Sequence, residues 1–487
     1  MRQADVVIIG SGVSGLTCGI LLQRLGHRVV IVEKNRHPGG LMWSYIRGGI
    51  PCPVGIHYLG SIDRGHVQYS LLDALGLGDA IPMAMCPEGS PMYRCLLGDR
   101  LFEIPVGIEP VRERLIETLP GERHAVDSLT EVLRTVATTL NDFSFLHSMS
   151  RLTGLGDARL SADEWLAKIG FSPAGRRILS FVVTSLGVSL DKCPTNLFLL
   201  VGASQMQSYG RPAVSGAEIV ERFVSRFKED GGEIRCSSEV VRIGVRNREV
   251  VSVETVDGAL LPADVVVTTV HPRVMLDLLP PDTFSEAFRT RILNLKNTPG
   301  LVGVQLAVPS SRFPARPFSM LVDTGSGRVR EGVFGQLTAT PDAATTLLSI
   351  HRHSTIEEWN QWVTTTTGNR GPLYRHEKET QAAAMCREIE GILGPLESAR
   401  LLDVFTPLTI RDWVNSPEGT GNGIARTTDQ LLRTAMLRGI PLGHIYSAGQ
   451  NAYASGILGS MEGAFLTTAQ IAGTGPVLEL IGRNVHE

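Results

Sequence analysis

Gly10-Ser11-Gly12-Val13-Ser14-Gly15 is the stretch of this chain whose spacing most directly points to chemistry. The apolar run Val6-Val7-Ile8-Ile9 precedes it and reads as a buried parallel strand from Ala4 to Gly10. Leu16, Ile20, Leu21 and Leu25 follow at helical spacing, and Gly26 ends that helix. A second strand, Arg28 to Val32, runs into Glu33, which lies 23 positions beyond Gly10. In such a unit the first glycine makes the tight turn, the second admits a pyrophosphate to the backbone, and the third lets helix and strand pack closely. The helix N-terminus supplies free N–H groups and the positive end of a dipole. An acid at this distance hydrogen-bonds a ribose, so the unit predicts dinucleotide binding. Glu33 favours a free 2′-hydroxyl, as in FAD or NAD; NADP would prefer an arginine.

Further motifs lie at both ends of the chain. Lys34-Asn35-Arg36-His37-Pro38-Gly39-Gly40-Leu41-Met42 follows the acid, and Val54-Gly55-Ile56-His57-Tyr58-Leu59-Gly60 comes soon after. Near the C-terminus stand Ile445-Tyr446-Ser447-Ala448-Gly449-Gln450 and Gly456-Ile457-Leu458-Gly459-Ser460-Met461-Glu462-Gly463-Ala464. Together these residues resemble the flavin amine oxidase–phytoene desaturase superfamily, and within it the branch of phytoene desaturases, carotenoid isomerases and retinol saturases.

The resemblance implies an α/β fold in which a Rossmann-like FAD-binding domain of the GR2 flavoprotein type is interleaved with an α+β substrate domain. It implies FAD held non-covalently in an extended form by both ends of the chain. Carried over by motif, Gly10, Gly12, Val13, Ser14 and Gly15 form the pyrophosphate loop and Glu33, next to Lys34, meets the adenosine ribose. Gly39, Gly40, Leu41 and Met42 lie along the cofactor, as does the segment holding His57 and Tyr58. Val240 matches the valine whose backbone meets the adenine. Gly449 and Gln450 fall near the pyrophosphate and ribityl chain, and Gly456 and Ile457 near the flavin ring. Leu41 departs from the pattern, because many relatives carry arginine directly after the glycine pair.

The residues after Gly456 are small: Gly459, Ser460, Gly463, Ala464, Thr467, Thr468 and Ala469. Such a helix can approach a cofactor or another helix closely, and its N-terminus would stabilise negative charge on a reduced flavin. A helix is predicted over Gly216 to Asp230, ended by Gly231-Gly232. Strands are predicted at Glu233–Cys236, Val240–Arg246, Val250–Thr255 and Ala263–Thr269, with Asp257-Gly258 turning a hairpin between the last two. Further helices are expected at Val126–Leu140 and at Ser161–Ile169, where Ser161 and Glu164 form a capping box, and a strand at Leu301–Val308. The expected division is an FAD domain of residues 1–80, 211–285 and 405–487, and a substrate domain of residues 81–210 and 286–404. No second glycine fingerprint follows a strand, so no separate NAD(P)H domain is expected.

His57 is a candidate proton donor or acceptor, against the alternative that its loop meets the flavin through backbone. Trp43 and Tyr45 either line a site or fill core. Arg411, Asp412 and Trp413 read as a solvated ion pair beside a packed ring. His351 and His353 would share a strand face, with no accompanying ligand set for a metal. The seven cysteines are scattered with no C-x-x-C pair, so neither a disulfide framework nor structural zinc is expected. A net charge of −3 argues against nucleic acid as a partner. No signal or membrane-spanning segment is read. The expectation is a cytoplasmic protein, with peripheral membrane contact left open and the oligomeric state unread.

The function expected is an FAD-dependent oxidoreductase working on CH–CH bonds of an extended apolar isoprenoid or polyene, by desaturation, saturation or cis–trans isomerisation. The alternatives are a flavin-dependent amine or amino-acid oxidase and a non-catalytic prenyl or lipid carrier of the same fold. A flavin carries the hard chemistry itself, which accounts for the lack of an evident acid–base pair.

Overall fold

The computed structural model describes residues 5–55, 58–147, 159–323 and 332–485. A five-stranded sheet runs in the order Glu233–Arg235, Arg28–Val32, Asp5–Ile9, Val265–Thr268, Ile445–Ser447. Every pairing in it is parallel. Its three inner strands are almost continuously apolar because both faces are buried. Val6, Ile8, Ile31 and Val267 pack on one side against the helices Val13–Arg24, Gly216–Glu229 and Gly456–Ala472. Val7, Ile9, Val32 and Val266 pack on the other, against Ile243, Val253 and Leu276. The successive side chains of each strand thus serve two different cores.

The helix Gly216–Glu229 starts at Ser215, whose hydroxyl and Glu218 form a capping box. The strand Val240–Arg246 has the expected bounds. The Asp257-Gly258 turn forms, but the strand that follows it is not the expected one. The strand Glu249–Thr255 pairs back onto the short strand Leu260–Pro262, whereas Val265–Thr268 enters the parallel sheet. Asp264 marks the change: its backbone N–H bonds Asp5 O at 2.9 Å, and the four residues that follow are all buried. An apolar run buried on both faces belongs in the central sheet, not in a hairpin with one wet face.

A second, seven-stranded sheet has the order Arg400–Phe405, Gly300–Pro309, Thr345–Ser354, Gly332–Ala339, Ser319–Asp323, Pro91–Leu97, Arg100–Pro105. Only the pairing of Ser319–Asp323 with Pro91–Leu97 is parallel. Sequence reading foresaw one of these seven strands. One face of the sheet packs Val302, Val304, Leu348 and Ile350 against the helix Gly371–Leu393 through Met385 and Ile389. The opposite face presents Leu301, Phe334, His351 and His353 to a cavity. The helices Arg123–Asn141, Ala162–Lys168 and Thr195–Gln207 enclose the flank, and the Ser161–Glu164 capping box forms as expected.

Candidate functional site

A cavity of about 440 Å³ runs from the glycine loop to the inner face of the seven-stranded sheet. Its volume falls in the range of small-molecule and cofactor sites. The positive-φ turn at Gly10, with φ 97°, ends the first strand and swings the chain into the helix Val13–Arg24. A Cβ on Gly15 would stand 2.1 Å from the Gly10 carbonyl oxygen, so only glycine lets the helix sit this close to the loop. A Cβ on Gly12 would meet nothing within 4 Å. Gly12 is the N-cap of that helix and gives it no side-chain cap. The helix's first N–H groups therefore face the cavity as an anion site.

Glu33 is 6% exposed. Its Oε2 accepts the Ser11 N–H at 3.0 Å and the Ser11 hydroxyl at 2.6 Å, and its Oε1 accepts the Asn35 N–H at 2.8 Å. Lone pairs on Oε1 remain for a further donor. The second glycine stretch docks on the first: Gly39 N–H bonds the Ser11 carbonyl at 3.0 Å, and Gly39 bridges to Gly12. At the other end of the chain, the helix Gly456–Ala472 also begins without a side-chain cap and opens on the same cavity. The turn before it is held by Arg426, buried at 8% exposure, which donates to the carbonyls of Gln450 and Asn451. With no carboxylate among these partners, desolvation pulls the Arg426 guanidinium down to about 10.

Gly10, Gly12, Val13, Ser14, Glu33, Lys34, Gly39, Gly40, Leu41, Met42, Tyr58, Val240, Gly449, Gln450, Gly456 and Ile457 all line this one cavity. Gly15 does not reach it; its place is behind the loop, against the Gly10 carbonyl. His57 lies outside the described residues. Tyr58 donates to Ser185 Oγ at 2.8 Å, accepts from Gln205 Nε2 at 3.1 Å and stacks on Tyr209 at 5.2 Å. Burial raises the pKa of its phenol.

Other candidates fall elsewhere. Trp43 stacks on His37 at 4.6 Å, and Tyr45 packs against Ile50 and Cys52. Asp412 is tied to Arg370 and Arg411 and accepts from Thr367, while Trp413 is 38% exposed, so the ring is not the packed one expected. The reason is local: Trp413 closes a short helix whose buried face is Pro407, Leu408 and Ile410. Backbone carbonyls of Asp412 and Trp413 instead anchor Lys34 and Asn35, at 3.2 and 2.9 Å. His351 and His353 both reach the cavity wall. Burial lowers the pKa of His353, and its Nε2 bonds the Thr184 carbonyl at 2.9 Å. No group of three metal-ligating side chains occurs among the described residues.

Several wall residues escaped the sequence reading: Gln68, Leu197, Leu200, Val201, Gln205, Phe334 and Glu462. Two signals for them were present. The helix Thr195–Gln207 carries no charge on any face, as a fully enclosed helix would. Glu462 is the single charged residue of the helix Gly456–Ala472.

The donor set fits FAD: two helix N-termini without side-chain caps, an open backbone at Gly12 and a buried acid with spare acceptor capacity meet in one cavity. Residues 13–472 match the family of flavin containing amine oxidoreductases. All-trans-retinol 13,14-reductase of Danio rerio is 21% identical over 100% of this chain and 87% of its own. The chloroplastic prolycopene isomerase of Daucus carota is 21% identical over 93% of this chain and 77% of its own. An oxidoreductase of solved structure from Methanosarcina mazei superposes with a TM-score of 0.68 at 15% identity, over 94% of this chain and 98% of the other. The chain belongs to the flavin containing amine oxidoreductase family and is an FAD-dependent oxidoreductase.

Proposed function

We propose that this protein acts on CH–CH bonds of an extended, apolar isoprenoid or polyene, by desaturation, saturation or cis–trans isomerisation. FAD, when bound, supplies the electron and hydride chemistry. The observation that carries the reading is the composition of the cavity beyond the cofactor motifs. Leu140, Leu186, Leu197, Leu200, Val201, Leu301 and Phe334 make an apolar chamber, which suits a hydrocarbon chain. Similarity to a retinol reductase and a prolycopene isomerase supports the same substrate class.

In this reading residues 1–80, 211–285 and 405–487 form the cofactor half, and 81–210 and 286–404 the substrate half. Gly12, Val13 and Ser14 would bind the pyrophosphate through backbone N–H groups, and Glu33 the ribose. Val240 would flank the adenine, and Gly449 and Gln450 the ribityl chain. Gly456 and Ile457 would set the N-terminus of the last cofactor helix against the flavin ring. The chamber residues orient the substrate and exclude water.

The test is an anaerobic titration of the flavin-loaded protein with polyenes and with amines. Bleaching of the flavin band by a polyene, or turnover of a polyene by pre-reduced protein, is the expected result. Bleaching by amines alone would overturn the reading in favour of amine oxidation. No helix among the described residues is long and apolar enough to cross a membrane.

A further inference from the structure

Arg426 is a buried cation that no acid balances. Among the described residues no carboxylate pairs with its guanidinium, and its buried Nε has no hydrogen-bond partner. Arg438, a second cation, stands near enough to add repulsion. The guanidinium is held by backbone alone, through the carbonyls of Gln450 and Asn451, and both of those residues line the central cavity. The contact is firmly seated. Ile424 N–H donates to Asn451 Oδ1 at 3.0 Å, and a Cβ on Gly423 would stand 2.2 Å from that same oxygen. The turn that Arg426 holds links the two helix starts that open on the cavity. At one end a Cβ on Gly449 would lie 3.2 Å from Ser14 Oγ, and at the other Gly456 begins the helix Gly456–Ala472. Burying an unpaired charge is costly, and carbonyl dipoles offset only part of that cost. A negative charge in the cavity would offset more of it.

We propose that Arg426 is a positioning residue whose fixed charge, behind the turn Gln450–Asn451, biases the bound flavin toward its reduced, anionic form. Reduction by two electrons with one proton leaves a flavin negatively charged, whereas two protons leave it neutral. The N-terminus of the helix Gly456–Ala472 carries partial charge of the same sign as Arg426, so the two act together on that negative charge. Low dielectric around the guanidinium lets its field reach through the turn with little screening. A bias of this sign makes the bound flavin a stronger electron acceptor. The inference rests on the placement of the flavin ring proposed above, next to Gly456 and Ile457.

The experiment is a reductive titration of the FAD-loaded protein against a reference dye, which gives the midpoint potential, beside the Kd for oxidised FAD. Arg426→Gln keeps a donor for the carbonyls and loses the charge. It is expected to cut the preference for reduced over oxidised cofactor about tenfold, which lowers the potential by about 30 mV. Arg426→Lys keeps the charge and should keep most of the potential. A weaker Kd in Arg426→Gln at unchanged potential would overturn the inference in favour of a role in holding the turn or facing the pyrophosphate. A loss as large in Arg426→Lys would overturn it too. The wild-type protein supplies a reading that needs no variant to fold. With one proton taken up, its potential should fall by about 30 mV for each tenfold drop in proton activity. A slope about twice as steep means two protons and a neutral reduced flavin, and would overturn the inference. Ile457→Trp tests the placement of the ring separately: loss of FAD supports it, and retention of FAD overturns the placement and the inference with it. Loss of FAD in Ile457→Trp beside an unmoved potential in Arg426→Gln would leave the placement standing and overturn the inference alone.

Discussion

Ser11 and Glu33, 22 residues apart in sequence, are joined twice: the Ser11 N–H and the Ser11 hydroxyl both donate to Glu33 Oε2, at 3.0 and 2.6 Å. The acid therefore has a structural task besides the ribose contact proposed for it. It locks the glycine loop to the end of the second strand while keeping Oε1 available. Glu33→Ala removes the ribose acceptor and frees the loop together. The expected loss is about 1.5–3 kcal/mol of FAD binding, the scale of hydrogen bonds to a charged group, or roughly 10- to 100-fold in Kd. Flavin titration of the apo protein measures it, and an unchanged Kd would remove Glu33 from the site.

Gly12 and Gly15 separate binding from folding. At Gly12 the backbone has φ −62° and an added Cβ meets nothing, so Gly12→Ala should leave the stability of the apo protein unchanged while placing a methyl in the pyrophosphate's path. At Gly15 the added Cβ meets the Gly10 carbonyl oxygen at 2.1 Å, and Gly15→Ala should destabilise by about 1–3 kcal/mol or more as an overpacked contact. Thermal melts of the two apo variants beside their FAD affinities check the contrast. Equal melting losses would sink it.

Glu462 gives stability a pH dependence of definite sign. Its carboxyl is raised from an ordinary 4.5 to about 8 by desolvation, so between those values the folded protein holds a proton that the unfolded chain has released. In that window stability contributed by this group falls as pH rises, and above about 8 the penalty is complete. Glu462→Gln removes the titration. The melting temperature of the variant should therefore gain on that of the wild type between pH 5 and about 8, a trend absent if the carboxyl ionises normally.

Val201 lies on the chamber wall in the uncharged helix Thr195–Gln207. Val201→Trp should fill the chamber without touching the glycine loop, since overpacking acts at the site of the added volume. Flavin content is expected to stay the same while binding of a long polyene drops at least about tenfold. Stopped-flow reduction, or polyene titration of the flavin band, distinguishes this from a folding defect. Undiminished polyene binding would place the substrate elsewhere.

The strand–glycine loop–helix–strand–acid unit was legible in sequence because every device in it is local. Gly10 supplies a positive φ, Val6 to Ile9 a doubly buried strand, and Glu33 follows the adjacent strand directly. The same holds for the capping boxes at Ser161 and Ser215, which depend on residues three apart. The chamber was not legible. Leu301 and Phe334 reach one sheet face only through the pairings Leu301–His353 and Phe334–His351, which join distant parts of the chain. Nor could sequence show whether Val265–Thr268 would close a hairpin or enter the parallel sheet, because burial on both faces is a property of the packed layers. Glu462 carries the same lesson. Its single charge in a helix of small residues was visible in the chain, but the upward shift of its carboxyl pKa follows from burial that folding alone brings about.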